Sequence, residues 1–180
     1  MIRTIPLIFS VLLAVSHAFA RDIHVIIDPG HGGPADWGFT TTGFDEKTLD
    51  LSIAKKVQSL LEAEGDYEVV LSRIGDYPVA LNDRKKTSNQ YPDSIFISIH
   101  STVYEKEPHV FTYVLRQTPS SGNSILSPIE TVHSKSYKNS LKLAQIMDDE
   151  FPENMNHEIV LPKFPIASLI GVQSTAVLVE

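Results

Sequence analysis

The sequence predicts an α/β fold, a single-domain three-layer sandwich in which helices flank a mostly parallel or mixed central sheet. Two observations support this. Runs of β-branched residues alternate along the chain with segments of helical periodicity, and 180 residues is an ordinary length for one domain. A composition of 42% hydrophobic and 21% charged residues also excludes a disordered or low-complexity chain.

The first strand and the first helix have clear local signals. Residues 23–27 form a β-branched run that stops at Asp28-Pro29-Gly30, where proline and glycine force a turn. Asp45 is a suitable N-cap, Glu46 follows in the first turn, where the helix dipole favours a carboxylate, and Gly65 is a good C-terminal stop. The apolar face of this predicted helix consists of Leu49, Ile53, Val57, Leu60 and Leu61.

The rest of the chain continues the alternation. We predict strands at 67–72, 94–99, 109–115 and 175–179, a short helix at 81–90 and a second main helix that contains Tyr137 and ends near Phe151-Pro152. Residues 118–133 are rich in Ser, Pro, Gly and Asn, and we predict that they form a loop that acts as a lid or is simply mobile.

The first twenty residues are typical of a secretory signal rather than of folded structure. Arg3 supplies the positive charge, residues 5–15 are mostly apolar, and Ala18-Phe19-Ala20 has the small-x-small pattern of a cleavage site. The apolar run is shorter than the ~20 residues of a membrane span, although an uncleaved anchor is the alternative. The sequence thus predicts an exported protein, periplasmic or associated with the cell wall, whose domain covers residues 21–180 without stable membrane insertion.

Charge and cysteine content exclude several classes of function. The formal net charge is −7, from 15 basic and 22 acidic residues, and the basic residues do not cluster, so nucleic acid is not an expected partner. The chain has no cysteine. This excludes disulfides, thiolate metal sites, a cysteine nucleophile and a lipid anchor on an N-terminal cysteine.

Polar side chains follow three of the predicted strands at their carboxyl ends, where open α/β sheets bind their ligands. They are His31, His100 and Glu180. Two histidines and Glu46 would make a zinc shell with a fourth position open for water, and Glu180 suits a general base. The wide spacing supports this only weakly: each histidine could be structural, Glu46 an ordinary first-turn residue and Glu180 a solvent-exposed chain end.

Four other residues have two interpretations each. Asp28 either orients His31 as a hydrogen-bond acceptor or only caps the turn. Arg73 and Arg84 are predicted to anchor loops or form structural ion pairs rather than bind substrate. Trp37 could stack on a sugar or a peptide, but ordinary packing is the favoured interpretation.

Five segments together resemble the motifs of the zinc-dependent N-acetylmuramoyl-L-alanine amidases, the family often called amidase type 3. They occur in the order of the family and cover nearly all of residues 21–180. The segments are VIIDPGHGG at 25–33, EKTLDLSIA at 46–54, the arginine pair in VLSR at 70–73 and LNDR at 81–84, SIH at 98–100, and AVLVE at 176–180.

This resemblance implies a hydrolase of peptidoglycan that cuts the amide between N-acetylmuramic acid and the L-alanine of the stem peptide. It implies one zinc ion held by His31, Glu46 and His100, with Glu180 as the catalytic carboxylate. Peptidoglycan or muropeptides would be the partners. A protein activator is a further expectation, because in some relatives an inserted element covers the zinc until a partner moves it.

The sequence departs from the family at two places. Ser101 and Thr102 stand where a small residue and an asparagine usually follow the last histidine. The family also normally continues beyond the final glutamate, so the sequence predicts a domain that lacks the C-terminal end. Two alternatives to an active amidase therefore remain: an inactive or decayed homologue that binds peptidoglycan or regulates, and a zinc hydrolase of free muropeptides or other acylated peptides.

Overall fold

The computed structural model describes residues 23–91, 93–103, 108–115, 127–163 and 166–180, with the backbone alone for 127–135. The predicted secretory signal at 1–20 lies outside these residues. The strands are β1 Ile23–Pro29, β2 Thr40–Thr41, β3 Phe44–Asp45, β4 Tyr67–Leu71, β5 Ile95–Ile99, β6 His109–Tyr113, β7 Asn156–Val160 and β8 Thr175–Val179. The helices are α1 Glu46–Glu64, α2 Leu81–Asn89 and α3 Ser127–Glu150.

A six-stranded sheet in the order β4-β1-β5-β8-β6-β7 forms the centre of the fold. Strands β4, β1, β5 and β8 are mutually parallel, β6 runs antiparallel to β8, and β7 is parallel to β6. The mostly parallel, mixed sheet that the sequence predicts is therefore confirmed. Its consequence for function is that the carboxyl ends of β1, β5 and β8 meet at one edge.

Side chains alternate between two faces of the sheet, and each face is covered by helix or loop. On one face α1 and α3 pack through Ala54 and Ala144, and on the other lie Leu169 and Val172 from the segment before β8. The first face buries Val25, Ile27, Val69, Ile99 and Val177; the second buries Ile26, Phe96, Ala176 and Leu178. The two cores separate three layers: the sheet in the middle, α1 and α3 on one face, and the segment before β8 on the other.

Helix α1 has the predicted ends but not the predicted inner face. Asp45 accepts a hydrogen bond from the Thr48 amide at 2.9 Å, and Gly65 ends the helix at φ 83°. Val57 and Leu61 pack on the core as expected, but Leu49, Ile53 and Leu60 are exposed. The buried stripe instead begins with Glu46, Asp50 and Ala54. Its first two members are acidic because this end of the helix reaches the functional edge, which hydrophobic periodicity alone does not reveal.

Two further elements differ from the prediction. Residues 127–133, predicted as loop, belong to α3, while 118–126 lie outside the described residues. Ser127-Pro128-Ile129-Glu130 in fact carries the sequence signature of a helix start, a capping-box pattern with proline at the first helical position. The strand β7 was not predicted, because it contains two polar residues and a histidine and is an edge strand. Within the described part of the chain, no helix combines the length and apolar character needed to cross a bilayer.

Candidate metal centre

Three side chains that the sequence singles out converge at the carboxyl edge of the sheet. His31 follows β1, His100 follows β5, and Glu46 is the first residue of α1. Oε1 of Glu46 lies 3.1 Å from Nε2 of His31 and 2.9 Å from Nδ1 of His100. One nitrogen or oxygen from each residue lies within 4.8 Å of the other two, and the group has the donor types of a metal site.

The backbone at His31 is held in an unusual conformation. His31 has φ 57°, in the left-handed region that costs a non-glycine residue ~1–2 kcal/mol, and the two following glycines also have positive φ. The guanidinium of Arg84 donates to the carbonyl oxygens of Pro29 at 2.6 Å and His31 at 2.7 Å. Arg84 also pairs with buried Asp28 at 2.7 Å. This buried network holds the turn that carries His31.

Arg73 performs a similar task between β1 and α1. Its side chain is buried and donates to the carbonyl oxygens of Pro29, Gly30 and Lys47, at 3.1, 2.5 and 2.7 Å. Both arginines therefore anchor loops, as the sequence analysis favours. Neither side chain is left exposed for a substrate.

The imidazole of His31 is oriented by a neighbouring carboxylate. Nδ1 of His31 lies 2.5 Å from Oδ1 of Asp36, so a proton on Nδ1 leaves the lone pair of Nε2 facing Glu46. The hydrogen bonds of Asp28 instead come from Arg84, Ser72 and Ser98. Of the two roles considered for Asp28, orientation of His31 is therefore wrong, and Asp36 fills it.

Glu46 is buried and held by two backbone amides. The Phe39 amide donates to Oε2 at 2.7 Å and the Ser101 amide to Oε1 at 3.4 Å. Burial acts to raise the pKa of Glu46, but the Phe39 amide, the His100 hydrogen bond and the charges of both histidines lower it overall. Glu46 is thus kept ionised, the form in which a carboxylate binds a metal.

Two glycines make room for this group. A Cβ at Gly38 would lie 2.4 Å from Oε2 of Glu46 and 2.6 Å from Cδ2 of His31. A Cβ at Gly30 would lie 2.6 Å from Cε1 of His100 and 2.7 Å from Oδ2 of Asp50. Any side chain at either position would displace a member of the site, so glycine is required at both.

Asp50 is a buried carboxyl beside the three converging residues. Its Oδ1 accepts a hydrogen bond from the Ser101 hydroxyl, whereas its Oδ2 has no partner among the described residues. Burial raises the pKa of Asp50 to about 8; the Ser101 hydrogen bond opposes this rise, and the charges of Glu46 and Glu180 add to it. Ser101 thus contacts both Asp50 and Glu46.

The raised pKa of Asp50 predicts a pH dependence of stability. Between the ordinary pKa of an unfolded aspartate, ~4, and about 8, the folded state binds a proton that the unfolded state has lost. The free energy of unfolding should therefore fall as the pH rises through this window, by at most about 1.4 kcal/mol per pH unit from this group. Asp50→Asn is expected to remove this slope in urea unfolding of chelator-treated protein.

Exposed Asp66 provides the control for this comparison. Asp66→Asn should leave the pH profile parallel to that of the unsubstituted protein, because Asp66 is exposed. If the Asp50→Asn profile is also parallel, Asp50 does not hold a proton in the folded state.

Glu180 lies at the adjoining strand end but not within the group of three. Its backbone pairs with Phe111 in both directions, at 2.8 and 2.9 Å, and the amide of His100 donates to Val179 at 2.9 Å. The Glu180 backbone is therefore held in the ladder between β8 and β6. Burial raises the pKa of Tyr113 to about 12, together with the charge of Glu180 and a hydrogen bond to that carboxylate.

The sequence analysis missed three residues of this edge: Asp36, Asp50 and Tyr113. Asp36 had a weak signal, since it is an acidic residue in the glycine-rich loop five positions after His31. Asp50 lies within the segment EKTLDLSIA at 46–54, but nothing in that segment distinguishes it from an ordinary polar helix residue. Tyr113 had no signal in the sequence, because only the antiparallel pairing of β6 with β8 brings it beside Glu180.

Comparisons with known proteins identify the family. The family model described as N-acetylmuramoyl-L-alanine amidase matches residues 25–180. The sporulation-specific N-acetylmuramoyl-L-alanine amidase of Bacillus subtilis is 45% identical over 80 residues, which are 43% of this chain and 31% of that protein. The chain therefore spans about a third of the length of this relative.

Solved structures agree in fold. The catalytic domain of CwlV, an N-acetylmuramoyl-L-alanine amidase from Bacillus (Paenibacillus) polymyxa var. colistinus, is 25% identical with a TM-score of 0.59, over 88% of this chain and 79% of that one. The CwlD amidase of Clostridioides difficile, solved in complex with the GerS lipoprotein, is 23% identical with a TM-score of 0.52, over 88% and 81%. These structures share the fold, and the family model, which matches residues 25–180, shows that the chain belongs to the N-acetylmuramoyl-L-alanine amidase (amidase type 3) family.

Proposed function

We propose that this chain hydrolyses the amide bond between N-acetylmuramic acid and the L-alanine of the peptidoglycan stem peptide, with one zinc ion held by His31, Glu46 and His100. The observation that carries the proposal is the convergence of these three side chains in a chain that matches the amidase family over residues 25–180. We further propose that residues 21–180 are the catalytic domain.

The donor set fits zinc in type and spacing. Tetrahedral ligands about 2.0–2.1 Å from the ion lie about 3.3 Å from one another. The contacts of Glu46 Oε1 with His31 Nε2 and His100 Nδ1, at 3.1 and 2.9 Å, are close to that separation. Asp36 fixes the tautomer of His31, and the Phe39 amide holds the second oxygen of Glu46.

Zinc bound at these residues would supply Lewis-acid polarisation of the scissile carbonyl and of the attacking water. In our proposal Glu180 accepts the proton of that water and returns it to the departing alanine nitrogen. Tyr113 donates a hydrogen bond to Glu180, and burial and the charge of Glu180 raise the pKa of the phenol to about 12, so it stays protonated well above neutral pH. The phenol would therefore orient the carboxylate without competing for its proton.

Digestion of purified sacculi tests the proposal. The zinc-loaded protein should release stem peptides with a free L-alanine amino terminus, and chelator treatment should abolish that release until zinc is restored. Binding to sacculi without hydrolysis would contradict the proposal in favour of a binding or regulatory module. Cleavage of soluble muropeptides alone, with sacculi intact, would assign the activity to free fragments.

Export and activation follow as secondary proposals. The signal-like residues 1–20 favour a periplasmic or cell-wall location, and the protein recovered from that compartment should begin near Arg21. The relative solved with a lipoprotein favours a protein activator. Addition of such a partner should raise the rate of sacculus digestion at fixed zinc.

A further inference from the structure

Trp37 is a half-exposed aromatic side chain beside the metal-type group, and it is the only tryptophan of the chain. Its carbonyl accepts from the Lys47 amide at 3.3 Å, next in sequence to Glu46. Two residues later, Phe39 exchanges hydrogen bonds with Glu46 in both directions: its carbonyl accepts from the Glu46 amide and its amide donates to Oε2. The loop that carries Trp37 is therefore attached directly to a proposed zinc ligand.

The indole is held in place from inside the protein. Its Nε1 donates to the carbonyl of Pro34 at 2.9 Å, and Nζ of Lys47 lies 3.5 Å from the ring centroid. Lys47 is itself buried and donates to the Gly33 carbonyl and to Asp76. Lys47 therefore covers one face of the indole, and 48% of Trp37 remains exposed.

The surroundings of the exposed face suit a neutral sugar better than a charged peptide. Phe39, two residues further along the same loop, and Tyr77, which precedes the Pro78 that packs against Gly33, are also exposed, at 42% each. The cation in contact with the indole, Lys47, already pairs with Asp76. Asp36 is exposed at 59% of its side chain and can accept hydrogen bonds from hydroxyl groups. An exposed aromatic ring next in sequence to an exposed carboxylate acceptor, Asp36, matches a pyranose, with its C–H face and its rim of hydroxyl donors.

We propose that Trp37 is a stacking platform for the pyranose ring of N-acetylmuramic acid, on the glycan side of the scissile amide. The proposal rests on the proposed amidase function, since it assigns the sugar half of that substrate. The indole is already fixed by Pro34 and Lys47, so binding would not need to order it.

Fluorescence of the single tryptophan tests this without hydrolysis. Titration with the peptide-free disaccharide of N-acetylglucosamine and N-acetylmuramic acid should give a saturable change in emission, with zinc or with chelator. A lactyl-peptide that lacks the sugar should give none. No response to the disaccharide, or a response to the lactyl-peptide alone, would overturn the proposal, even if sacculi are digested.

Kinetics of variants provide the second measurement. On a soluble muramoyl-peptide, Trp37→Ala should raise KM roughly ten-fold with little change in kcat, and Trp37→Phe should recover most of the loss. Leu60→Ala, which removes an exposed apolar side chain far along α1, should change neither constant. On a lactyl-peptide without the sugar, Trp37→Ala should match the unsubstituted protein.

Zinc content and thermal unfolding separate a binding role from a structural one. Equal zinc content in Trp37→Ala and the unsubstituted protein, with KM raised only for the sugar-bearing substrate, supports the platform. An equal rise in KM for both substrates would overturn it. If no substrate is hydrolysed by any form, the amidase function fails, and the fluorescence titration alone still decides whether Trp37 binds the saccharide.

Discussion

Glu180→Gln is expected to reduce hydrolysis of sacculi by about 10²- to 10⁴-fold while leaving the zinc content unchanged, because a general base is removed but no ligand is lost. The amide is nearly isosteric with the carboxylate, so the hydrogen bond from Tyr113 can be kept. The backbone pairing with Phe111 does not depend on the side chain. The loss should therefore fall on kcat rather than on folding or binding.

Glu158→Gln is the matched control for this substitution. Glu158 is an exposed glutamate whose charge also acts on Tyr113, from the neighbouring strand β7. Its replacement changes the net charge equally and should leave the rate within a factor of about two, since exposed charges contribute little. If Glu180→Gln hydrolyses sacculi as fast as Glu158→Gln, the proposed base is wrong, whatever the zinc content.

Glu46→Gln is expected to weaken zinc binding by at least about 100-fold, because the anionic ligand between two imidazoles is lost and the NH2 group of the amide cannot replace it when the amide oxygen faces the Phe39 amide. The amide oxygen can still accept from the Phe39 amide, so the turn at the start of α1 should survive. Competition with a chromogenic chelator measures the affinity directly. Thermal unfolding with and without zinc measures it independently, since a ligand that binds only the folded state raises Tm.

A second glutamate of the same helix serves as control. Glu62 is exposed near the end of α1 and accepts a hydrogen bond from Gln58. Glu62→Gln should bind zinc like the unsubstituted protein and show the same zinc-dependent rise in Tm. An unchanged zinc affinity in Glu46→Gln would remove Glu46 from the ligand set and leave only the two histidines.

Local signals predicted most of the fold. The ends of α1 followed from Asp45 and Gly65, because caps act within one turn of the helix. The inner face of α1 was not predicted, since Glu46 and Asp50 are buried for reasons of the site while Leu49 and Leu60 are exposed. The start of α3 had a readable signature at Ser127, but the polar composition around it favoured a loop.

The alternation of strands and helices, the family motifs and the three converging residues could all be predicted from the amino-acid sequence, because each depends on neighbours in the chain or on a recognisable motif. The surroundings of those residues depend on how the chain folds in three dimensions. Asp36 rather than Asp28 orients His31, Asp50 lies buried beside the group, and Tyr113 reaches Glu180. The hydrogen bond from Ser101 to Asp50 and the hydrogen bond from Tyr113 to Glu180 each join segments that are distant in sequence. They form only when parallel and antiparallel pairing bring β5, β8 and β6 to one edge.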